Sequence, residues 1–143
     1  MKDNSLIIIP TYNEYENIEV IINKILQLND SNDVLVVDDN SPDGTANVVS
    51  ILKKKFVDKV FLIVRDKKLG LGSAYIEGFK WALKKKYQYI FEMDADLSHD
   101  PNEIKNLKKL LIDQKYDVAI GASYLDGISV VKWPLSRIFL SFF

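Results

Sequence analysis

Two aspartates one residue apart, Asp94 and Asp96, are the feature of this sequence that most directly indicates chemistry. They follow the short apolar segment Tyr89–Phe91, so both side chains should reach the same rim where the chain leaves a buried strand. Mg²⁺ or Mn²⁺ is typically held by one or two carboxylates together with substrate phosphates and water. The pair therefore indicates a divalent cation serving a diphosphate. The plainer alternative is that one aspartate caps a turn and the other is solvated.

A second acidic group follows another aliphatic segment. Asp38 and Asp39 come directly after Val34–Val37, and Asn40 and Asp43 lie just beyond. Neighbouring carboxylates at a strand end can accept hydrogen bonds from a base and from ribose hydroxyls, but aspartate and asparagine are also favoured in turns and helix caps. Carboxylates crowded along one edge repel each other, which makes a shared cation the simplest explanation.

Two more polar segments occupy equivalent places. The segment from Thr11 to Glu14 has the spacing of a capping box, which predicts a helix start there. Arg65 and Lys68 precede two glycines at positions 70 and 72, and this loop leads into a helical pattern. Such a loop favours an anion such as diphosphate, although a solvated glycine turn would look the same. It does not match a dinucleotide-binding fingerprint, because Tyr75 stands where the third glycine would be.

The strands and helices that must position these residues alternate regularly along the sequence. An α/β fold is predicted, with a mostly parallel open sheet and helices on both faces. In such sheets ligands bind beyond the carboxyl ends of the strands, where all four polar segments fall. The predicted strands are Leu6–Ile9, Val34–Val37, Val60–Val64, Tyr89–Phe91 and Val118–Ile120, and the predicted helical segments are Ile18–Leu28, Val48–Leu52, Ala74–Lys86 and Ile104–Leu111.

Composition excludes several other classes of protein. The chain has 143 residues, 48% of them hydrophobic, and a net charge of -1, so we expect a globular domain with no general attraction to nucleic acid. The absence of cysteine excludes a disulfide scaffold, a thiolate nucleophile and a cysteine-ligated zinc. The single histidine, His99, cannot build a histidine-based metal site and is more simply a loop residue. No run of about 18 apolar residues indicates a transmembrane helix within this sequence.

Taken together, the polar segments resemble the family 2 glycosyltransferases of GT-A fold, within them the dolichyl-phosphate (polyprenyl-phosphate) mannosyltransferase type. The segments that carry the resemblance are Ile8–Glu14, Val37–Thr45, Leu69–Tyr75 and Met93–Pro101. Their order and spacing agree across essentially the whole chain, which is more specific than any one motif. The resemblance implies a Rossmann-like, nucleotide-diphospho-sugar transferase fold with a catalytic core over residues 1–124.

The resemblance also implies roles for individual residues. Asp94 and Asp96 would be the catalytic pair that holds Mg²⁺ or Mn²⁺, with Ser98 as a further metal ligand. The nucleotide-sugar site would be formed by Pro10, Tyr12, Glu14, Asp38, Asp39, Asn40, Asp43 and Lys68. Arg137 would meet the acceptor phosphate. Ser123, the other residue expected at the acceptor phosphate, departs from the family pattern, because the family commonly has an arginine at that position.

The implied activity is an inverting transfer of mannose from GDP-mannose to a polyprenyl (dolichyl) phosphate, at the cytoplasmic side of a membrane surface. UDP-glucose or another nucleotide sugar is an alternative donor, and a sugar hydroxyl an alternative acceptor. Residues 125–143 would begin an acceptor-binding, membrane-proximal region of a longer protein. A receiver-like signalling domain would need its acidic pair after the first strand, where Thr11 stands, and a haloacid-dehalogenase-like phosphatase would need its aspartate pair on the opening strand.

Overall fold

The computed structural model describes residues 4–28, 31–121 and 128–130. They divide between two compact units, Met1–Pro101 and Asn102–Phe143. The elements in chain order are β1 Ser5–Thr11, α1 Ile18–Gln27, β2 Asn32–Asp38, α2 Thr45–Lys55, β3 Val60–Val64, α3 Leu71–Lys84, β4 Tyr89–Glu92, α4 Glu103–Gln114, β5 Ala119–Gly121 and β6 Ile128–Val130.

The first unit is built on a four-stranded parallel sheet with the order β3-β2-β1-β4. Every residue of the central strand β1 is buried, as expected for an aliphatic run covered on both faces. Thr11 of β1 pairs with Asp38 of β2, and Ile8 pairs with Glu92 of β4. The carboxyl ends of these strands therefore lie along one edge of the sheet, which is where the predicted site residues follow.

Helices cover both faces of this sheet, which confirms the predicted α/β fold class. On one face, α3 packs on alternate residues of β1 and β2, namely Leu6, Ile8, Leu35 and Val37. The intervening residues point the other way because side chains alternate along a strand. On that second face α1 contacts α2 and β2, and it buries Ile18, Ile21, Ile22 and Ile25.

Helix α3 approaches the sheet closely. A Cβ placed on Gly78 would lie 2.6 Å from Cγ2 of Ile8, so only glycine fits at this point without displacing its neighbour. The helix begins at Leu71, three residues before the predicted start at Ala74. Gly70 precedes it with a φ of 95°, a backbone conformation that favours glycine and allows the helix to start directly after the loop.

Two further expectations about the elements are wrong. Helix α1 starts at Ile18 rather than in the predicted capping box, and residues between Thr11 and Ile18 form bends and turns. The fifth strand does not extend the parallel sheet, because β5 pairs antiparallel with β6 in a separate two-stranded sheet.

The second unit contains α4, β5 and β6, and α4 contacts β5. The predicted boundary between residues 124 and 125 lies outside the described residues and stays a prediction, as do the placements of Ser123 and Arg137. Over the described ranges, no helix combines the length and the apolar character needed to cross a membrane.

Candidate functional site

A cleft of about 260 Å³ lies at the carboxyl edge of the parallel sheet. It is called the acidic cleft below, and its lining residues are Pro10, Thr11, Tyr12, Glu14, Asp39, Lys68, Gly70, Leu71, Ala74, Asp94, Ala95 and Asp96. These residues come from the end of β1, from the loops after β1, β2, β3 and β4, and from the start of α3. The sequence-predicted residues Pro10, Tyr12, Glu14, Asp39, Lys68, Asp94 and Asp96 are therefore brought together, while their roles remain predictions.

Asp39 fixes the loop that precedes α3. Its carboxylate is buried, and one oxygen pairs with the buried guanidinium of Arg65. The other oxygen accepts hydrogen bonds of 2.9 Å from the backbone N–H groups of Leu69 and Gly70. Arg65 also donates to the carbonyl of Gly70 at 2.9 Å and to Ser73 at 2.7 Å. Because Arg65 is committed to these partners, the expectation that it contributes to an anion site is wrong.

Asp38 is fully buried and ties the first two loops together. One carboxylate oxygen accepts hydrogen bonds from Oγ1 of Thr11 at 2.7 Å and from Oγ of Ser41 at 2.6 Å. The other accepts from the backbone N–H of Ser41 at 2.9 Å. The hydroxyl of Thr11 is thus used across the sheet, which explains why it does not cap α1. Asp38 thereby stabilises the carboxyl edge of the sheet, where the acidic cleft lies.

Asp43 joins the start of α2 to the loop after β1. It accepts hydrogen bonds from the backbone N–H and Oγ1 of Thr45 and from the backbone N–H of Tyr15. Burial raises the pKa of Asp43, but these hydrogen bonds outweigh it, so the net pKa is lowered. Thr45 in turn accepts from the backbone N–H of Glu14 at 3.0 Å. Asp43 thereby holds Glu14, which lines the acidic cleft, and lines with it a neighbouring hollow of about 320 Å³.

Lys68 lies over the ring of Tyr12, with Nζ 4.2 Å from the ring centroid. Both residues line the acidic cleft, so this cation–π contact connects the first and third loops. Asn40 also connects loops, because its side-chain N–H donates to the carbonyl of Asp66 at 3.2 Å. Lys68 thus places a positive charge on a cleft that otherwise carries carboxylates.

The aspartate pair, Asp94 and Asp96, lies in the loop after β4 and also lines the cleft. Oδ1 of Asp96 accepts a hydrogen bond of 2.9 Å from the backbone N–H of Ser98. Hydrogen bonds from the side chain and the backbone of Ser98 lower the pKa of Asp96, which keeps it ionised. The backbone N–H of Asp94 donates to Nδ1 of His99 at 3.3 Å, which links the two ends of this loop. His99 therefore supports the loop that carries both aspartates.

Two residues near this pair were not singled out from the sequence. From the sequence Tyr75 is only the residue that stands where a third glycine would be, yet its hydroxyl donates to Oδ1 of Asp94 at 2.9 Å. Glu92 ends β4, and burial together with the charge of Asp94 raises the pKa of Glu92 to about 7. The one signal in the sequence was the alternation of side chains along β4, which places Glu92 on the face of the sheet that carries α3.

The residues present fit a hard divalent cation. Asp94 and Asp96 are oxygen donors that share one cleft, and Mg²⁺ or Mn²⁺ needs only one or two carboxylates when phosphates and water complete its shell. No cluster of three or more histidine, aspartate, glutamate or cysteine side chains with metal-binding geometry occurs in the described part of the chain. The cleft therefore offers a cation two carboxylates, and phosphate oxygens and water would have to complete its coordination shell.

Comparison with curated proteins gives relatives of about twice this length. Polyprenol monophosphomannose synthase of Mycolicibacterium smegmatis is 43% identical over 137 residues, which are 96% of this chain and 51% of the relative. Undecaprenyl-phosphate mannosyltransferase of Micrococcus luteus is 40% identical over 136 residues, which are 95% of this chain and 55% of the relative. The chain spans about half the length of these relatives.

Solved structures share the fold. The mannosyltransferase PcManGT from Pyrobaculum calidifontis, determined with GDP-Man and Mn²⁺, is 26% identical, with a TM-score of 0.68 over 79% of this chain and 33% of that one. TarS of S. aureus is 20% identical, with a TM-score of 0.68 over 88% of this chain and 38% of that one, and shows the fold alone. These likenesses confirm the predicted GT-A fold. Residues 6–143 match the profile described as Glycosyl transferase family 2, and the chain therefore belongs to that family.

Proposed function

We propose that the protein transfers mannose from GDP-mannose to a polyprenyl phosphate, using Mg²⁺ or Mn²⁺. The observation that carries this proposal is the acidic cleft, in which Asp39, Lys68, Asp94 and Asp96 meet from three separate loops. The names of the two relatives at 43% and 40% identity support a polyprenyl-phosphate acceptor, and the GDP-Man complex of a structural neighbour supports the donor.

The donor would lie along the cleft with its diphosphate between Lys68 and the aspartate pair. A diphosphate is anionic and would be repelled by Asp94 and Asp96 alone, so these carboxylates are useful only with a cation between them and the phosphates. When bound, that cation offsets the negative charge that develops on the departing nucleoside diphosphate. Lys68 adds a second positive charge from the other side, and leaving its contact with Tyr12 would free it for the phosphates.

The nucleoside would be accommodated by Pro10, Tyr12 and Glu14, which line the cleft, and by Asp39, which lines it while holding the loop before α3 in place. Asp38, Asn40 and Asp43 would act through the loops they tie together, as their hydrogen bonds indicate. Ser98 would add to the metal site because it lies directly against Asp96.

The chemical step would be a direct displacement with inversion. An oxygen of the acceptor phosphate forms a bond to the anomeric carbon, while the bond from that carbon to the diphosphate oxygen breaks and leaves its electrons on the nucleoside diphosphate. A phosphate nucleophile is already ionised near neutral pH, so this reaction needs no strong general base. Positioning and charge stabilisation would provide the acceleration. Ser123 and Arg137 would meet the acceptor, and the protein would work at a membrane surface on the cytoplasmic side.

The test is a transfer assay with the purified full-length protein, Mn²⁺ and a short polyprenyl phosphate. GDP-mannose and UDP-glucose are compared as donors, and a sugar hydroxyl acceptor is included in place of the lipid. We expect mannosyl transfer to the lipid phosphate with GDP-mannose, and Asp94→Asn should lower kcat/KM about 100-fold or more, as loss of a group stabilising transition-state charge does.

Asp33→Asn is the matched control for this variant. Asp33 also accepts a tyrosine hydroxyl, from Tyr87, but it lies near the start of β2, away from the carboxyl edge. We expect this control to transfer mannose at the wild-type rate. Transfer that persists in Asp94→Asn, or a product formed only from UDP-glucose or on the sugar hydroxyl, would contradict the proposal.

A further inference from the structure

Tyr75 connects the hydrophobic core to the aspartate pair. Its side chain is only 8% exposed and lies in the cluster that α3 forms with Leu6 and Ile8. From this buried position its hydroxyl donates a hydrogen bond of 2.9 Å to Oδ1 of Asp94. The ring is thus held by packing, while its polar end contacts a carboxylate of the acidic cleft.

The packing leaves this tyrosine little freedom. Gly78 lies one turn further along α3 and allows the helix backbone to rest directly on Ile8. Because α3 cannot shift toward or away from β1 without a clash or a void, the position of the Tyr75 hydroxyl is set by the core. Asp94 itself lies in the loop after β4 and is partly exposed, so its side chain is less constrained by packing than that of Tyr75.

The direction of the hydrogen bond is also fixed. A carboxylate oxygen only accepts hydrogen bonds, so in this 2.9 Å contact the Tyr75 hydroxyl is the donor and Oδ1 of Asp94 the acceptor. Within the ranges that the structure describes, Tyr75 is the one hydrogen-bond donor to the Asp94 carboxylate, through Oδ1. Oδ2 is therefore left as the oxygen available to a cation.

We propose that Tyr75 is a positioning residue, which holds the Asp94 carboxylate in the orientation that binds the divalent cation. The inference rests on the metal site of the proposed function. Hydrogen bonds to ligating carboxylates are part of such sites, and losing one typically lowers metal affinity about 10–100-fold. The ordered carboxylate loses less conformational freedom when the cation binds, which is the physical source of the gain.

The experiment measures Mn²⁺ affinity directly, from the free Mn²⁺ signal in electron paramagnetic resonance, at a fixed concentration of GDP. Tyr75→Phe keeps the ring and removes only the hydroxyl. Tyr87→Phe is the matched control, because its hydroxyl donates to Oδ2 of Asp33 at 2.8 Å at the other edge of the sheet. We expect Tyr75→Phe to weaken Mn²⁺ binding about 10–100-fold and Tyr87→Phe to stay within about twofold of wild type.

A double variant distinguishes a positioning role of Tyr75 from a general loss of stability. If Tyr75 acts through Asp94, adding Tyr75→Phe to Asp94→Asn should weaken Mn²⁺ binding no further, and the unfolding midpoints of the two tyrosine variants without metal should be similar. Equal Mn²⁺ affinities for both tyrosine variants, or additive losses in the double variant, would overturn the inference alone. A wild-type protein that binds no Mn²⁺ would overturn the proposed metal site as well.

Discussion

The buried pair of Asp39 and Arg65 should make Asp39→Asn far more destabilising than its small chemical change suggests. Each oxygen of Asp39 faces donors only, the guanidinium on one side and the N–H groups of Leu69 and Gly70 on the other. An asparagine must place its NH₂ group against one of these sets of donors. The buried guanidinium also loses its close counter-charge and, among the described residues, keeps only Glu77 at 3.9 Å, whose side chain is 44% exposed, and breaking such a buried pair costs about 3–5 kcal/mol.

The assay is guanidinium chloride unfolding followed by tryptophan fluorescence. Asp33→Asn is the reference, because Asp33 pairs with Lys59, whose side chain is 47% exposed, and such surface pairs contribute about 0–1 kcal/mol. Adding Arg65→Met to Asp39→Asn should recover part of the loss by removing the unpaired charge. If Asp39→Asn costs no more than Asp33→Asn, the reasoning about the buried pair is wrong.

Two further predictions concern the same unit. Gly78→Ala should destabilise the protein by about 1–3 kcal/mol, because the added methyl group meets the sheet at 2.6 Å and overpacking outweighs the gain in helix propensity. Gly72→Ala on the same helix has nothing within 4 Å and should stabilise by up to about 1 kcal/mol, so equal denaturation midpoints for the two would contradict this account. Glu92 has a pKa raised by burial and by a neighbouring aspartate to about 7, against 4.5 for the unperturbed group, so its contribution to stability is present below about pH 4.5 and is lost as the pH rises through about 7. Without metal, Glu92→Gln should therefore flatten the fall in stability over this range, and unchanged pH profiles from thermal denaturation would count against the shift.

The parallel strands could be predicted well from the sequence because their signal is local. The aliphatic runs that became β1 and β2 are buried on both faces, and β3 matches its predicted range from Val60 to Val64. The pairing of β5 was wrong because an isolated three-residue strand carries no information about its partner. Its antiparallel neighbour, Ile128–Val130, has no pattern that distinguishes it from a loop.

The acidic cleft could be predicted in outline, since residues after parallel strands meet at one edge. What each polar group does there depends on partners far away in sequence. Thr11 and Glu14 have capping-box spacing, but Thr11 donates to Asp38, 27 residues on. Arg65 looks like an anion-binding residue until its burial against Asp39 is known. Tyr75 looks like a core residue because the sequence does not reveal that its hydroxyl reaches Asp94.

Because α3 starts directly after Gly70, the number of residues in its first turn sets the distance between two hydrogen-bonded parts of the acidic cleft. Gly70, whose N–H donates to Asp39, immediately precedes α3, and Tyr75, whose hydroxyl donates to Asp94, lies four residues beyond the first helical residue Leu71, a rise of about 6 Å at 1.5 Å per residue. An inserted residue between them would turn the tyrosine by about 100° around the helix axis, away from its partner. This stretch of α3 must therefore keep its residue count for both parts of the cleft to stay in register.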